Sequence, residues 1–68
     1  MSVFIVFIDN GDEYPEDFEM DTCGVFLTLE EARTQEAPEG WEINHIEEWK
    51  IGEGYVTSYF PDEEEEYD

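Results

Sequence analysis

Residues Val3-Phe4-Ile5-Val6-Phe7-Ile8 form an unbroken apolar run, and it constrains the fold more than anything else in the chain. Val, Ile and Phe favour strand. In a strand, Val3, Ile5 and Phe7 point to one face, and Phe4, Val6 and Ile8 to the other. A strand apolar on both faces belongs inside a sheet, with both sides covered at least in part. Six residues fall far short of the roughly 20 needed to span a membrane. Asp9-Asn10-Gly11-Asp12 ends the strand with turn chemistry, because Asn and Gly accept positive φ.

The rest of the chain supplies partners for that strand. Phe18 and Met20 alternate with Glu19 and Asp21, which predicts a short edge strand within Glu13–Asp21. Gly24-Val25-Phe26-Leu27 leads to a helix start, where Thr28 is the N-cap and Glu31 completes a capping box. Glu30 and Glu31 suit the positive end of the helix dipole. Pro38 disfavours helix in the residue before it, so the helix is expected to stop near Glu36 or Ala37. Trp41 to Ile51 reads as a long strand, with Trp41, Ile43, His45, Glu47, Trp49 and Ile51 on one face and Glu42, Asn44, Ile46, Glu48 and Lys50 on the other. Gly52-Glu53-Gly54 signals a hairpin, and Tyr55 to Phe60 a return strand. The expected fold is α+β: a single small domain with a three- to four-stranded, mainly antiparallel sheet and one short helix on one face. The opposite face is left with little to cover it, and exposed rings there would make a homodimer or partner surface.

Charge sets the second constraint. The 68 residues hold 21 Asp or Glu against two bases, Arg33 and Lys50, for a formal charge of −19. Direct binding of nucleic acid needs clustered Lys and Arg and is excluded. Anionic membrane surfaces are excluded by the same sign. Disorder of the whole chain is the obvious alternative at this charge, but 40% of the residues are apolar and 16% aromatic. A compact domain is expected over residues 1–61, and a solvated, disordered acidic tail over residues 62–68. No basic start followed by an apolar stretch and a cleavage site is present, so no signal peptide is expected. The single Cys23 fits a reducing, cytoplasmic setting.

The inventory for catalysis is thin. His45 is the only histidine and Cys23 the only cysteine, and Cys23 sits among acids that disfavour its thiolate. Carboxylate pairs such as Glu30-Glu31 and Glu47-Glu48 are too abundant to mark acid–base work. Asp9-Asn10-Gly11-Asp12-Glu13 looks like part of a calcium loop, but counting back from Gly11 puts Val6 at the first ligand position. No glycine cluster with a following Lys forms a phosphate loop. The chain is therefore expected to be no enzyme and to hold no metal or cofactor. His45 reads as an ordinary polar residue on a sheet face, and Trp41 and Trp49 read as core.

The opening Val3-Phe4-Ile5-Val6 strand, Gly24-Val25-Phe26-Leu27-Thr28 entering Glu30-Glu31-Ala32, and the following Ile46-Glu47-Glu48-Trp49 strand together resemble a small uncharacterised family of domains common in phage and bacterial genomes. The resemblance covers roughly residues 3 to 51. It implies the fold and carries no activity.

Small stable domains commonly carry a net charge of about 2–8, and −19 adds self-repulsion to a small core. Solubility or high-salt adaptation would account for acidity in general. Mimicry of nucleic acid accounts for its magnitude. Duplex DNA carries one charge per roughly 1.7 Å, so nineteen charges match about 32 Å of duplex. Without the tail, 15 acids against two bases match about 22 Å. Phage encode several unrelated acidic proteins that block restriction, CRISPR, repair or nucleoid proteins, and this chain is similar to them in size and charge. The expected partner is a basic nucleic-acid-binding protein. The expected contact surface combines Glu13, Glu16, Asp17, Glu19 and Asp21 with Glu30 and Glu31 of the helix. Glu42 and Glu48 extend it along the strand, Glu47 adds to it from the other face, and Tyr14 and Phe18 supply apolar anchors. The alternative is a non-mimic interaction or assembly module.

Overall fold

A computed structural model describes residues 1–61; the expected tail at 62–68 lies outside the described residues. The apolar run forms β1 (Ser2–Asp9), followed by β2 (Met20–Phe26), α1 (Leu29–Arg33), β3 (Glu42–Lys50) and β4 (Gly54–Tyr59). The four strands make one antiparallel sheet in the order β2-β1-β3-β4, so the protein is α+β with a single short helix. β1 is internal, as its two apolar faces require. β2 and β3 flank it on either side, so the connection between them must cross one face of β1. That crossing carries α1 over β1 and β2. Only one face of the sheet gains a helix by this route.

Beneath the helix, Val6, Ile8, Ala32 and Ile46 are buried, and Phe4, Phe26, Leu29, Trp41, Ile43 and Tyr59 pack around them. Gly24, opposite Val6, leaves space for the Phe26 ring: a Cβ there would stand 2.8 Å from ring carbon Cζ.

Three register shifts decide which side chains share a face. Between β1 and β3, Phe7 pairs with His45 but Ile8 pairs with Ile43, leaving Asn44 as the extra residue of a β-bulge. The bulge breaks the simple alternation expected for Trp41–Ile51. Ile43 turns to the helix side with Ile46, while Glu42 joins His45, Glu47 and Trp49 on the open side. Trp41 and Trp49 accordingly part company: Trp41 packs against the core, and Trp49 lies exposed on the other face. Cys23 in β2 and Val56 in β4 are the extra residues at the other two shifts.

Two boundaries differ from the sequence expectation. The edge strand runs Met20–Phe26 rather than within Glu13–Asp21, because the ten residues Asn10–Glu19 are closed into a loop. The helix ends at Arg33 rather than at Glu36 or Ala37. Thr28 Oγ1 accepts from the Glu31 amide at 3.1 Å, as the capping box requires. Three residues later the Thr34 amide and hydroxyl both donate to the Glu31 carbonyl, at 3.2 and 2.8 Å, and the Gln35 amide bonds to Ala32. These i−3 bonds tighten the last turn and end the helix before Pro38 has any influence.

Candidate functional site

Antiparallel pairing gathers carboxylates at one end of the sheet. The last residue of β1, Asp9, pairs with Met20 at the start of β2 and with Glu42 at the start of β3. The β1–β2 loop and the turn before β3 therefore meet at the same end. Asp9, Asp12, Glu13, Glu16, Asp17, Glu19, Asp21, Glu39 and Glu42 lie there, nine of the 15 acids in residues 1–61. No Lys or Arg joins them. Lys50 closes β3 at the far end, and Arg33 sits on the helix side over the Tyr59 ring, 5.9 Å from its centroid.

The loop that holds most of these acids is fixed by its own polar groups. Asn10 Oδ1 accepts from the amides of Asp12 and Glu19, both at 3.2 Å, and Asn10 Nδ2 donates to the Asp17 carbonyl at 2.8 Å. Asp12 Oδ1 accepts from the Tyr14 amide at 2.9 Å. Pro15 follows Tyr14 in a turn closed by the Asp17 amide on the Tyr14 carbonyl at 2.9 Å, the position where its fixed φ fits. Gly11, at φ +74°, passes so close to Glu42 that a Cβ would stand 2.8 Å from its carboxylate. Asn10→Ala is expected to cost about 1–2 kcal/mol and to speed amide exchange at Asp12 and Glu19, measured by urea denaturation and hydrogen exchange.

Of the residues expected to form a contact surface, the structure brings Glu13, Glu16, Asp17, Glu19, Asp21 and Glu42 together with Tyr14 and Phe18. Tyr14 and Phe18 are exposed. Glu30 and Glu31 are not part of this group; they start the helix at the end of the sheet where β2 finishes. Glu48 is separated as well: it shares the helix side with Ile46, while the bulge at Asn44 turns Glu42 to the other face. Glu48 accepts from the Tyr59 hydroxyl at 2.8 Å. Asp9, Asp12 and Glu39 belong to the acidic end but carry no motif beyond turn chemistry, and only the strand pairing reveals them.

The open face of the sheet continues from this end. Asp9 is buried and accepts from the Gly11 amide at 2.7 Å and from Asn44 Nδ2 at 2.8 Å. Asn44 Oδ1 faces His45 Nδ1, and His45 Nε2 faces Glu47 Oε2 at 2.9 Å. Glu47 Oε1 accepts from Trp49 Nε1 at 2.9 Å. Because the Asn44 amide group donates to a carboxylate, its oxygen is left to accept. Both ring nitrogens of His45 then face acceptors. Phe7 stacks on the His45 ring at 4.8 Å, and Phe60 lies 5.6 Å from it.

His45 and then Trp49, by hydrogen bonding, hold the Glu47 carboxyl below its ordinary value. A depressed carboxyl stabilises the fold above the ordinary carboxylate range and loses that contribution as pH falls through its folded value. Glu47→Gln is expected to flatten the acid limb of stability against pH below about 4.5, measured by thermal melts from pH 3 to 7. Tyr59 moves the other way: its bond to Glu48 raises the phenol, so its contribution holds below the ordinary range near 10 and is lost as pH rises.

Among the described residues no three His, Cys, Asp or Glu side chains converge as metal ligands would, and no helix is long and apolar enough to cross a membrane. A cleft of about 220 Å³ between α1 and the sheet is lined by Ala32, Arg33, Ile43, Ile46, Tyr59 and Phe60 among others. It is smaller than the roughly 300–1,000 Å³ usual for ligand pockets. No family model, curated protein or solved structure matches the chain.

Proposed function

We propose that the chain is an acidic, phage-type protein that acts as a nucleic-acid mimic, binding a basic DNA- or RNA-binding protein of the host cytoplasm and inhibiting it. One observation carries the reading: nine carboxylates and no base share one end of the sheet, five of them on a loop held by its own hydrogen bonds. Acidity that served solubility alone would be spread over the surface. A directional cluster raises the local potential and speeds encounter with a cationic groove. Among the described residues no three of these carboxylates converge on one point, which suits separate cationic contacts.

The inhibitory surface consists of Glu13, Glu16, Asp17, Glu19, Asp21 and Glu42, with Asp12 and Glu39 beside them. Tyr14 and Phe18 add apolar contacts that survive salt. Glu30, Glu31 and Glu48 contribute to the overall field and not to this contact. The test is capture from host lysate with the immobilised chain. Partners that bind DNA or RNA support the reading, and a set of partners with no such activity refutes it.

A further inference from the structure

The helix-free face of the sheet is a second surface, and its chemistry differs from that of the acidic end. Val3, Ile5 and Phe7 run down its centre on β1, half-buried only by their neighbours. Val25 on β2, Tyr55 on β4 and Phe60 keep 60, 55 and 45% of their surface exposed. Trp49 meets Tyr55 edge to face at 5.8 Å, with Glu47 bonded to the indole. Contiguous apolar surface of this kind on a small protein marks a contact site.

The charges on this face say what covers it. Glu42 and Glu47 share it, with the buried Asp9 at its end, and both bases of the chain are turned away: Arg33 is on the helix side, and Lys50 shares that side with Ile46 and Glu48. A second copy of the chain would bring the same carboxylates and no Lys or Arg, with 13 net negative charges on each set of 61 residues. The occupant must supply positive charge and also tolerate an apolar floor. Lysine's ammonium is strongly hydrated and resists that transfer. Arginine's guanidinium is weakly hydrated, stacks on indole and phenol rings, and pairs with carboxylate in its own plane.

We propose that the open face docks a basic protein through arginine side chains laid against Trp49 and Tyr55 and paired with Glu47. The proposal rests on the mimic reading only in taking the partner to be basic.

Deca-arginine and deca-lysine, equal in formal charge, separate this from general attraction. Titrated into the full chain in 150 mM salt, deca-arginine is expected to bind about tenfold more tightly, a cation–π difference of about 1.4 kcal/mol. Its amide shifts should fall on Val3, Ile5, Phe7, Glu47 and Trp49. Trp49→Ala should bring the ratio near one. Val25→Lys, which adds a cation at an exposed position on the same face, should weaken deca-arginine more than deca-lysine without touching the core. Neutralising Glu13, Glu16, Asp17 and Glu19 should weaken both peptides and keep the ratio. Equal affinities in the native chain would overturn the proposal, as would an arginine preference that survives both face variants. Concentration-dependent self-association mapped to the same amides would give the face to a second copy and overturn it too. An arginine preference that persists while DNA fails to compete with the captured partner would overturn the mimic reading and leave this one standing.

Discussion

Replacing Glu13, Glu16, Asp17 and Glu19 together with their amides is expected to weaken binding of the proposed basic partner about 100-fold at low salt. That is about 2.7 kcal/mol over four contacts, within the range for charges at an interface rim. The gap between the variant and native chains should narrow as salt rises and screening shortens the reach of each charge. Stability should move the other way. None of the four side chains takes part in the loop's hydrogen bonds, since Asn10 grips the backbone of Asp17 and Glu19. Removing their mutual repulsion should therefore leave the fold as stable as before or slightly more so. Affinity comes from titration calorimetry at two salt concentrations and stability from urea melts of the same samples. A variant that loses both together would show that the acids hold the loop rather than meet a partner.

Ile46→Ala is expected to be the most damaging single substitution in the described residues. Ile46 is buried opposite Val6 on one side and Tyr59 on the other. Truncating such a side chain costs about 3 kcal/mol, against a total of roughly 3–9 kcal/mol for a domain of 61 residues. Only four apolar residues are buried among the described residues, so there is little core to absorb the cavity. The urea midpoint should fall by a third or more, with partial unfolding visible in buffer by circular dichroism. Val25→Ala, at an exposed site on the other face, serves as the control and should change stability by less than about 0.5 kcal/mol. Equal effects at the two sites would mean that the open face is already packed against something in solution.

Much of this fold is legible in residue order because each signal is local. The two-faced apolar run places β1 inside the sheet, the Thr28–Glu31 box starts the helix, and Gly52-Glu53-Gly54 joins β3 to β4. The missed features depend on contacts that sequence spacing does not display. Asn44 bulges because its amide reaches Asp9, 35 positions away, and that single extra residue swaps the faces of Glu42 and Ile43. Thr34 ends the helix by turning its side chain back on Glu31, which overrides a stop read from Pro38. Asn10 clips Glu19 across nine residues, so the expected edge strand begins only at Met20. The acidic surface divides for the same reason. The loop acids were visible as a run, whereas the separation of Glu48, Glu30 and Glu31 follows from strand direction and the bulge.

The bulge also links the two proposed surfaces. Asp9 fastens the base of the acidic loop through Gly11 and holds Asn44, from which contacts run through His45 and Glu47 to Trp49. A partner that covers both regions would meet carboxylates at one end and rings along the face, in a fixed relative arrangement.

The acidic end is proposed to occupy the site where a partner holds nucleic acid. The most direct measurement is a competition titration: the complex of this chain with its captured partner, titrated with a duplex of about 20 base pairs at fixed salt. Mutually exclusive binding is expected, with one duplex site gained for each chain released and no species holding both. A stable ternary complex of partner, duplex and chain would contradict it.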